Sequence, residues 1–146
     1  MLIQKVRAVR KVYSSLTVQS QRFAQRTRIT CLDACRVCCT KNNIEATVLE
    51  FLPAAFELAF EGNYDSYLEK LESNTDGRCV FHNPFLKEGG CSRYTDRGLI
   101  CRLFSFSAKM NKADEPELVA CRLIKERLDT VLLIKNLPKA PVLSNY

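Results

Sequence analysis

The sequence predicts a mainly α fold, a small helical domain that contains a loop-rich cysteine cluster. Two observations support this fold class. Apolar residues near the N-terminus and in the middle of the chain follow helical spacing, and eight cysteines lie mostly in irregular sequence. With 146 residues, of which 47% are hydrophobic and 26% charged, the chain is long enough to bury a core and has a globular composition.

The first predicted element is an amphipathic helix. Its apolar positions recur in steps of three and four, with Ser20 in one slot: Leu2, Val6, Val9, Tyr13, Leu16 and Phe23. Seven basic residues precede the first acid, Asp33, whereas the remaining chain has 15 Lys and Arg against 16 Asp and Glu. The helix therefore either packs on the body with a solvated basic face or binds an acidic partner or nucleic acid.

Short helices are predicted in the middle of the chain. Residues 44–60 are apolar but contain Pro53, which favours two short helices, the second starting near the proline and ending at Gly62. Asn63 is a capping residue for another helix, through Leu71. Residues 73–107 hold four of the five glycines, and we expect loops there.

A longer helix is predicted after these loops, from Asp114 to about Lys135. The sequence Asp-Glu-Pro-Glu at its start is typical of a helix N-terminus, and one face would carry Leu118, Cys121, Ile124, Leu128 and Val131. We accordingly divide the chain into a basic amphipathic helix (1–30), a cysteine-cluster metal-binding domain (31–137) and a flexible tail (138–146).

The compartment is predicted from what the sequence lacks. No apolar run approaches the roughly 20 residues of a membrane helix, so no membrane span is expected. Charges interrupt the N-terminal segment, unlike the apolar core of a secretory signal. We therefore expect a soluble, cytoplasmic protein, with an organelle transit peptide as the alternative. In a reducing compartment, cysteines are more often metal ligands or redox groups than disulfides.

The cysteines are the main candidates for a metal site. The first four have the spacing C-x3-C-x2-C-C, which allows several sulfurs to converge on one ion, and thiolates favour zinc, copper(I) and iron–sulfur centres. We predict that this metal orders the loops. The eight would form two four-thiolate sites, or one site with spare redox thiols. They are Cys31, Cys35, Cys38, Cys39, Cys79, Cys91, Cys101 and Cys121.

Three of the candidates have alternative interpretations. Adjacent Cys38 and Cys39 are expected to point in different directions and so to serve two centres, unless one is simply buried. Cys121, on an apolar helix face, is equally compatible with a buried thiol. His82 follows Cys79 in a C-x2-H arrangement and is expected to be a ligand, a structural residue or a residue that hydrogen-bonds a ligand. Because the chain has no second histidine to activate a cysteine nucleophile, a thiol hydrolase is not expected, and the sequence assigns no catalytic residue to any other activity.

The ordered cysteines resemble those of a known family. Cys31 to Cys39 are followed by Cys79 and then by Cys91-x2-Tyr94-x2-Arg97-x3-Cys101-Arg102. This pattern is similar to the CxxCxxCC, or YkgJ-type, cysteine-cluster family, described as zinc- or iron-chelating. The resemblance implies roles beside the thiolates for Tyr94, Arg97 and Arg102, since arginine can offset thiolate charge. Gly98 departs from the family, which usually has proline there.

The resulting functional hypothesis is a metal-binding protein whose thiolates hold zinc or an iron–sulfur cluster. We favour zinc because of the Cys79/His82 pair and because zinc often orders small loop-rich domains. The cysteine-rich ligand set and nearby apolar residues favour iron–sulfur. The alternatives are an iron–sulfur enzyme related to lysine N-methylases, which carry similar cysteine patterns, and a zinc-stabilised nucleic-acid-binding module.

Overall fold

The computed structural model describes residues 1–31, 37–41, 44–86 and 90–142. About 54% of these residues are helical, in six α-helices and short 3₁₀ turns, and the described strands form one two-stranded sheet. The mainly α prediction is therefore confirmed. The chain forms two compact units, here called unit 1 (residues 1–10 and 32–98) and unit 2 (residues 11–31 and 99–146). This grouping follows packing, whereas the predicted division followed composition, and that division stays a prediction.

The predicted N-terminal amphipathic helix is present as α1, Leu2–Thr27. Its first residues belong to unit 1 and the remainder to unit 2. Most of the predicted seam is buried or half-buried, including Val6, Tyr13 and Phe23, whereas Leu2 at its end is exposed. The helix ends where Arg28 adopts a left-handed conformation with φ of 56°. The spacing of three and four residues therefore identified the face of α1 that packs against the rest of the protein.

Two of the three short helices predicted for this region are present in unit 1, whereas the one predicted before Pro53 is only a 3₁₀ turn. A 3₁₀ turn, Val48–Phe51, leads into α2, Leu52–Phe60, with Pro53 in its first turn, where a missing N–H costs no helical hydrogen bond. Gly62, with φ of 70°, ends this segment. The next helix, α3, spans Tyr64–Glu72. Asn63 occupies the capping position but makes no side-chain hydrogen bond to the helix.

The core of unit 1 lies against α2. Ala54, Leu58 and Phe81 are its buried members, and Cys79 and Cys91 are among the half-buried residues that pack on them. The ring of Phe81 lies 5.4 Å from that of Tyr67 and 6.1 Å from that of Phe51, measured between centroids. This core therefore anchors the chain segments that carry Cys79 and Cys91.

Unit 2 differs from the prediction between residues 108 and 136. Strand β1, Ala108–Met110, pairs antiparallel with β2, Pro116–Leu118, and only then do helices α5, Arg122–Lys125, and α6, Thr130–Asn136, follow. A further helix, α4, Leu99–Leu103, precedes the strands. The single helix predicted from Asp114 to Lys135 is therefore wrong.

The reason for this error lies in the turn before β2. Asp114 has φ of 58°, outside the helical region, and the Asn111 side chain accepts hydrogen bonds from the amides of Ala113 and Glu115, both at 2.9 Å. Acidic residues before a proline are thus part of a strand-reversing turn here rather than a helix start. The predicted face is partly correct, because Leu118 and Ile124 are buried.

The core of unit 2 joins α1 to these later elements. Its buried members are Phe23, Ile29, Ala108, Leu118, Ile124 and Ala140. After α6 the chain remains attached, since the amide of Ala108 donates to the carbonyl of Pro141 at 2.8 Å. Residues 138–142 are thus packed, residues 143–146 lie outside the described residues, and the flexible tail stays a prediction. Among the described residues, no helix has both the length and the apolar character to cross a membrane.

Candidate metal centre

The predicted site residues are divided between the two units. Unit 1 contains Cys38, Cys39, Cys79 and Cys91, together with His82, Tyr94 and Arg97. Unit 2 contains Cys31, Cys101, Cys121 and Arg102. Cys35 lies outside the described residues. The structure therefore gathers half of the predicted ligands, four cysteines, in one unit with the chain's single histidine.

Cys38 and Cys39 lie on a 3₁₀ turn, Val37–Thr40, and are both half-buried. Their side chains are hydrogen-bonded to each other. The thiol of Cys39 donates to the sulfur of Cys38, and this bond, with backbone amides and the charge of Arg97, lowers the pKa of Cys38 to about 6. The prediction that these two side chains point apart is therefore wrong, because the turn places both sulfurs on one side.

The same contact has the opposite effect on Cys39. Donating its proton to Cys38 raises the pKa of Cys39, and burial and the charges of Cys38, Cys79 and Cys91 raise it further. Four thiols thus lie close enough for their charges to interact. In water such a group retains protons, but a bound cation would stabilise the ionised sulfurs.

Cys79 is joined to this turn through the backbone. Its amide donates to the carbonyl of Cys39 at 3.3 Å, and its carbonyl accepts from the amide of His82 at 2.9 Å. Burial raises the pKa of the Cys79 thiol, while hydrogen bonds from the amides of Phe81 and His82 to its sulfur lower it. Sequence reasoning missed these two amide donors, although the short spacing from Cys79 to His82 is a signal for such a turn.

Cys91 faces His82 across a short antiparallel bridge. The hydrogen bonds flank the pair: Asn83 donates to Gly90 at 2.5 Å and Ser92 donates to Phe81 at 2.8 Å. His82 and Cys91 are thus a non-hydrogen-bonded pair, the kind in which the two backbones approach most closely and the side chains share one face. The bridge therefore directs the His82 and Cys91 side chains to the same face, with their Cβ atoms next to each other.

The imidazole of His82 has an unusual environment. Its Nε2 atom is buried and has no hydrogen-bond partner among the described residues. A buried polar nitrogen without a partner is costly, on the order of 1–3 kcal/mol. This orphaned nitrogen and the neighbouring sulfurs are together a donor set that suits zinc or iron, the metals that accept both imidazole and thiolate.

The arginines implied by the family resemblance lie in different places. The guanidinium of Arg97 stacks 4.0 Å from the centroid of the Tyr94 ring, and its charge acts on the Cys38 thiolate. Arg102, in unit 2, lies 4.6 Å from the centroid of the Tyr13 ring and 3.5 Å from the hydroxyl of Thr17. Arg97 thus acts on a cysteine of unit 1, and Tyr94 stacks on that arginine.

The three cysteines of unit 2 differ in exposure. Cys31, after the end of α1, and Cys101, on α4, are exposed. Cys121 immediately precedes α5 and is half-buried against the unit 2 core, an environment compatible with a buried thiol. In the part of the chain that the structure describes, no three Cys, His, Asp or Glu side chains already have metal-binding geometry.

The fold and the site define a small, mainly helical protein with a cysteine cluster. The family whose model matches residues 30–127 is CxxCxxCC, with the description "Putative zinc- or iron-chelating domain". The match covers more than half of the chain, so the chain belongs to this family, as the cysteine spacing predicted. The search of the curated proteins and that of the solved structures each found no match.

Proposed function

We propose that unit 1 chelates one metal ion through the thiolates of its cysteines and that this ion is zinc. The single observation that supports this most strongly is the grouping of the adjacent Cys38 and Cys39 with Cys79 and Cys91, which are distant from them in sequence yet interact with them electrostatically. Cys35, two residues before this turn, is a further predicted ligand. Membership in a family described as zinc- or iron-chelating agrees with the proposal.

The residues present fit such an ion. Thiolate sulfurs and an imidazole nitrogen are the usual zinc donors, at about 2.3 Å and 2.0–2.1 Å. Arg97 would offset part of the negative charge that several thiolates leave on a divalent ion. When bound, the ion would connect the Val37–Thr40 turn to the chain around Cys79 and Cys91, in addition to the hydrogen bond from the Cys79 amide to the Cys39 carbonyl. This is the way in which we expect metal to order the loops.

The direct test is elemental analysis with an absorption spectrum, on protein purified without oxygen. Zinc near one per chain, without visible absorption, is the expected result. Iron together with sulfide and a broad band near ~400 nm would identify an iron–sulfur centre instead. That outcome would favour the alternative, an enzyme related to lysine N-methylases. Protein without metal that also fails to bind added zinc or iron would contradict the proposal.

A second proposed function concerns the basic surface of α1. Lys5, Arg7, Lys11, Arg22 and Arg26 are all exposed, and the helix carries no acidic residue. The apolar seam of the helix is packed against the protein, which leaves the basic faces for a partner. We propose that these side chains contact the phosphates of nucleic acid, since such contacts need positive charge without a specific fold. Salt-dependent binding of a DNA or RNA duplex is the test.

A further inference from the structure

The feature that goes beyond the thiolates is the side chain of His82. It is the only histidine among 146 residues, and its backbone lies in the turn that presents Cys79. The family resemblance assigns no role to this position. Its nitrogen is nevertheless buried without a partner among the described residues, whereas an ordinary buried imidazole is hydrogen-bonded.

The backbone determines where this imidazole lies. As the non-hydrogen-bonded partner of Cys91, His82 projects from the same face of the bridge as that cysteine. Cys91 in turn interacts electrostatically with Cys39 and Cys79. The imidazole is therefore placed at the edge of the thiol group rather than on the opposite side of the chain.

We propose that His82 is a nitrogen ligand of the metal, which makes the centre a mixed sulfur–nitrogen site instead of an all-thiolate one. This inference rests on the proposed metal-binding function. In it, Nε2 binds the ion beside the sulfurs of Cys79 and Cys91, and the turn at Val37–Thr40 supplies the third sulfur from Cys38. Metal binding thereby satisfies the orphaned nitrogen.

The pairing of Cys38 with Cys39 bears on how many sulfurs of unit 1 bind the ion. Cys38 and Cys39 lie on one 3₁₀ turn with their side chains in contact, and the proposal assigns one sulfur of this pair to the ion. Three sulfurs then remain in the described part of unit 1 for a four-coordinate ion, and His82 completes the set. A Cys₃His set is a common structural zinc site, and its imidazole disfavours an ordinary four-cysteine iron–sulfur cluster.

The decisive measurement is the X-ray absorption fine structure of the zinc-loaded full-length chain. We expect three sulfurs at about 2.3 Å and one nitrogen at about 2.0–2.1 Å. Four sulfurs with no nitrogen, as would result if Cys35 or Cys39 took the fourth position, would overturn the inference. Because this experiment uses the unchanged sequence, its result does not depend on whether a variant folds.

Two substitutions provide an independent measurement. His82→Ala removes the ligand, and His82→Gln keeps a hydrogen-bonding group but removes the imidazole. A ligand role predicts that both lose zinc affinity by more than about 100-fold, beyond the 10–100-fold typical of an outer hydrogen-bonding partner. Asn83→Ala is the matched control, since Asn83 accepts a hydrogen bond from the Phe85 amide in the same loop at 2.9 Å. Wild-type affinity in His82→Gln would contradict the proposal.

The outcomes separate the two proposals. If wild-type protein binds neither zinc nor iron, the proposed function fails, and the inference about His82 fails with it. If the protein binds one zinc per chain but with four sulfurs, only the inference fails. If zinc binding shows one nitrogen and is weakened in both His82 variants but not in Asn83→Ala, both stand.

Discussion

The contact between Gly98 and Phe51 gives a quantitative test of packing beside the cysteine cluster. A Cβ atom on Gly98 would lie 2.7 Å from Cζ and 3.0 Å from Cε2 of Phe51, well inside van der Waals contact. The ring cannot move freely, because it packs on Phe81 with centroids 6.1 Å apart. The substitution Gly98→Ala should therefore destabilise the protein through overpacking.

Two opposing effects set the magnitude. Overpacking in a filled core typically costs about 1–3 kcal/mol, whereas replacing glycine by alanine restricts the unfolded chain and returns about 0.4–1 kcal/mol. The overpacking effect is larger, so we expect a net loss of about 0.5–2 kcal/mol in the free energy of unfolding. With an m-value of about 2 kcal/mol/M, the midpoint of urea unfolding should fall by about 0.3–1 M.

The assay is a double-mutant cycle with Phe51→Leu, followed by urea unfolding. Once the ring is gone, Gly98→Ala should be neutral or stabilising by up to about 1 kcal/mol. Gly62→Ala is the matched control, because nothing lies within 4 Å of its Cβ position and its cost arises from φ of 70°. That cost should be equal in both backgrounds. An equal cost of Gly98→Ala with and without the Phe51 ring would refute the packing argument.

Three further predictions concern the cysteines and α1. Cys38→Ser and Cys79→Ser should lose metal and lower the melting temperature, whereas Cys121→Ser should keep its metal. Elemental analysis and thermal melting of all three variants check this, and full metal content in both of the first two would contradict it. In metal-free protein, alkylation of Cys38 should rise with pH through about 6 and then level off, because its thiolate forms below the usual thiol pKa. Cys39→Ala removes the thiol donor and should move the midpoint of Cys38 alkylation to higher pH. Mass spectrometry of the alkylated peptide measures this midpoint, and an unchanged value would exclude the hydrogen bond as the cause of the lowered pKa. Finally, the logarithm of the binding constant for duplex nucleic acid should fall linearly with the logarithm of the salt concentration, and Arg7→Gln should make this slope shallower by about 1. A slope near zero for the wild type would exclude phosphate binding.

The sequence was sufficient for the features that repeat or have a fixed spacing. The seam of α1 could be predicted because Val6, Tyr13 and Phe23 recur at helical spacing, and packing on the core follows that period. Pro53 and Gly62 marked the limits of a helix because their backbone preferences are local. The family could likewise be predicted from the spacing of its cysteines.

The features that depend on strand pairing, or on a local turn without a sequence signature, could not be predicted in this way. Asp114 and Pro116 are compatible with either a helix start or a turn, and the pairing of Met110 with Pro116 decides between them. The direction of the Cys38 and Cys39 side chains depends on the local 3₁₀ turn rather than on their adjacency. The bridge between His82 and Cys91 joins residues nine apart, and no periodic pattern marks it.

The composition of the two units has a consequence for synthesis on the ribosome. Unit 1 consists of residues 1–10 and 32–98, so all of its residues are translated before the second half of unit 2. The core that buries Phe23 and Ile29 of residues 11–31 cannot form until residues 99–146 have been synthesised. During that interval the apolar side of α1 from residue 11 onward lacks its packing partners in the nascent chain. A chaperone that recognises apolar helices would thus have its best opportunity before residue 99 is added.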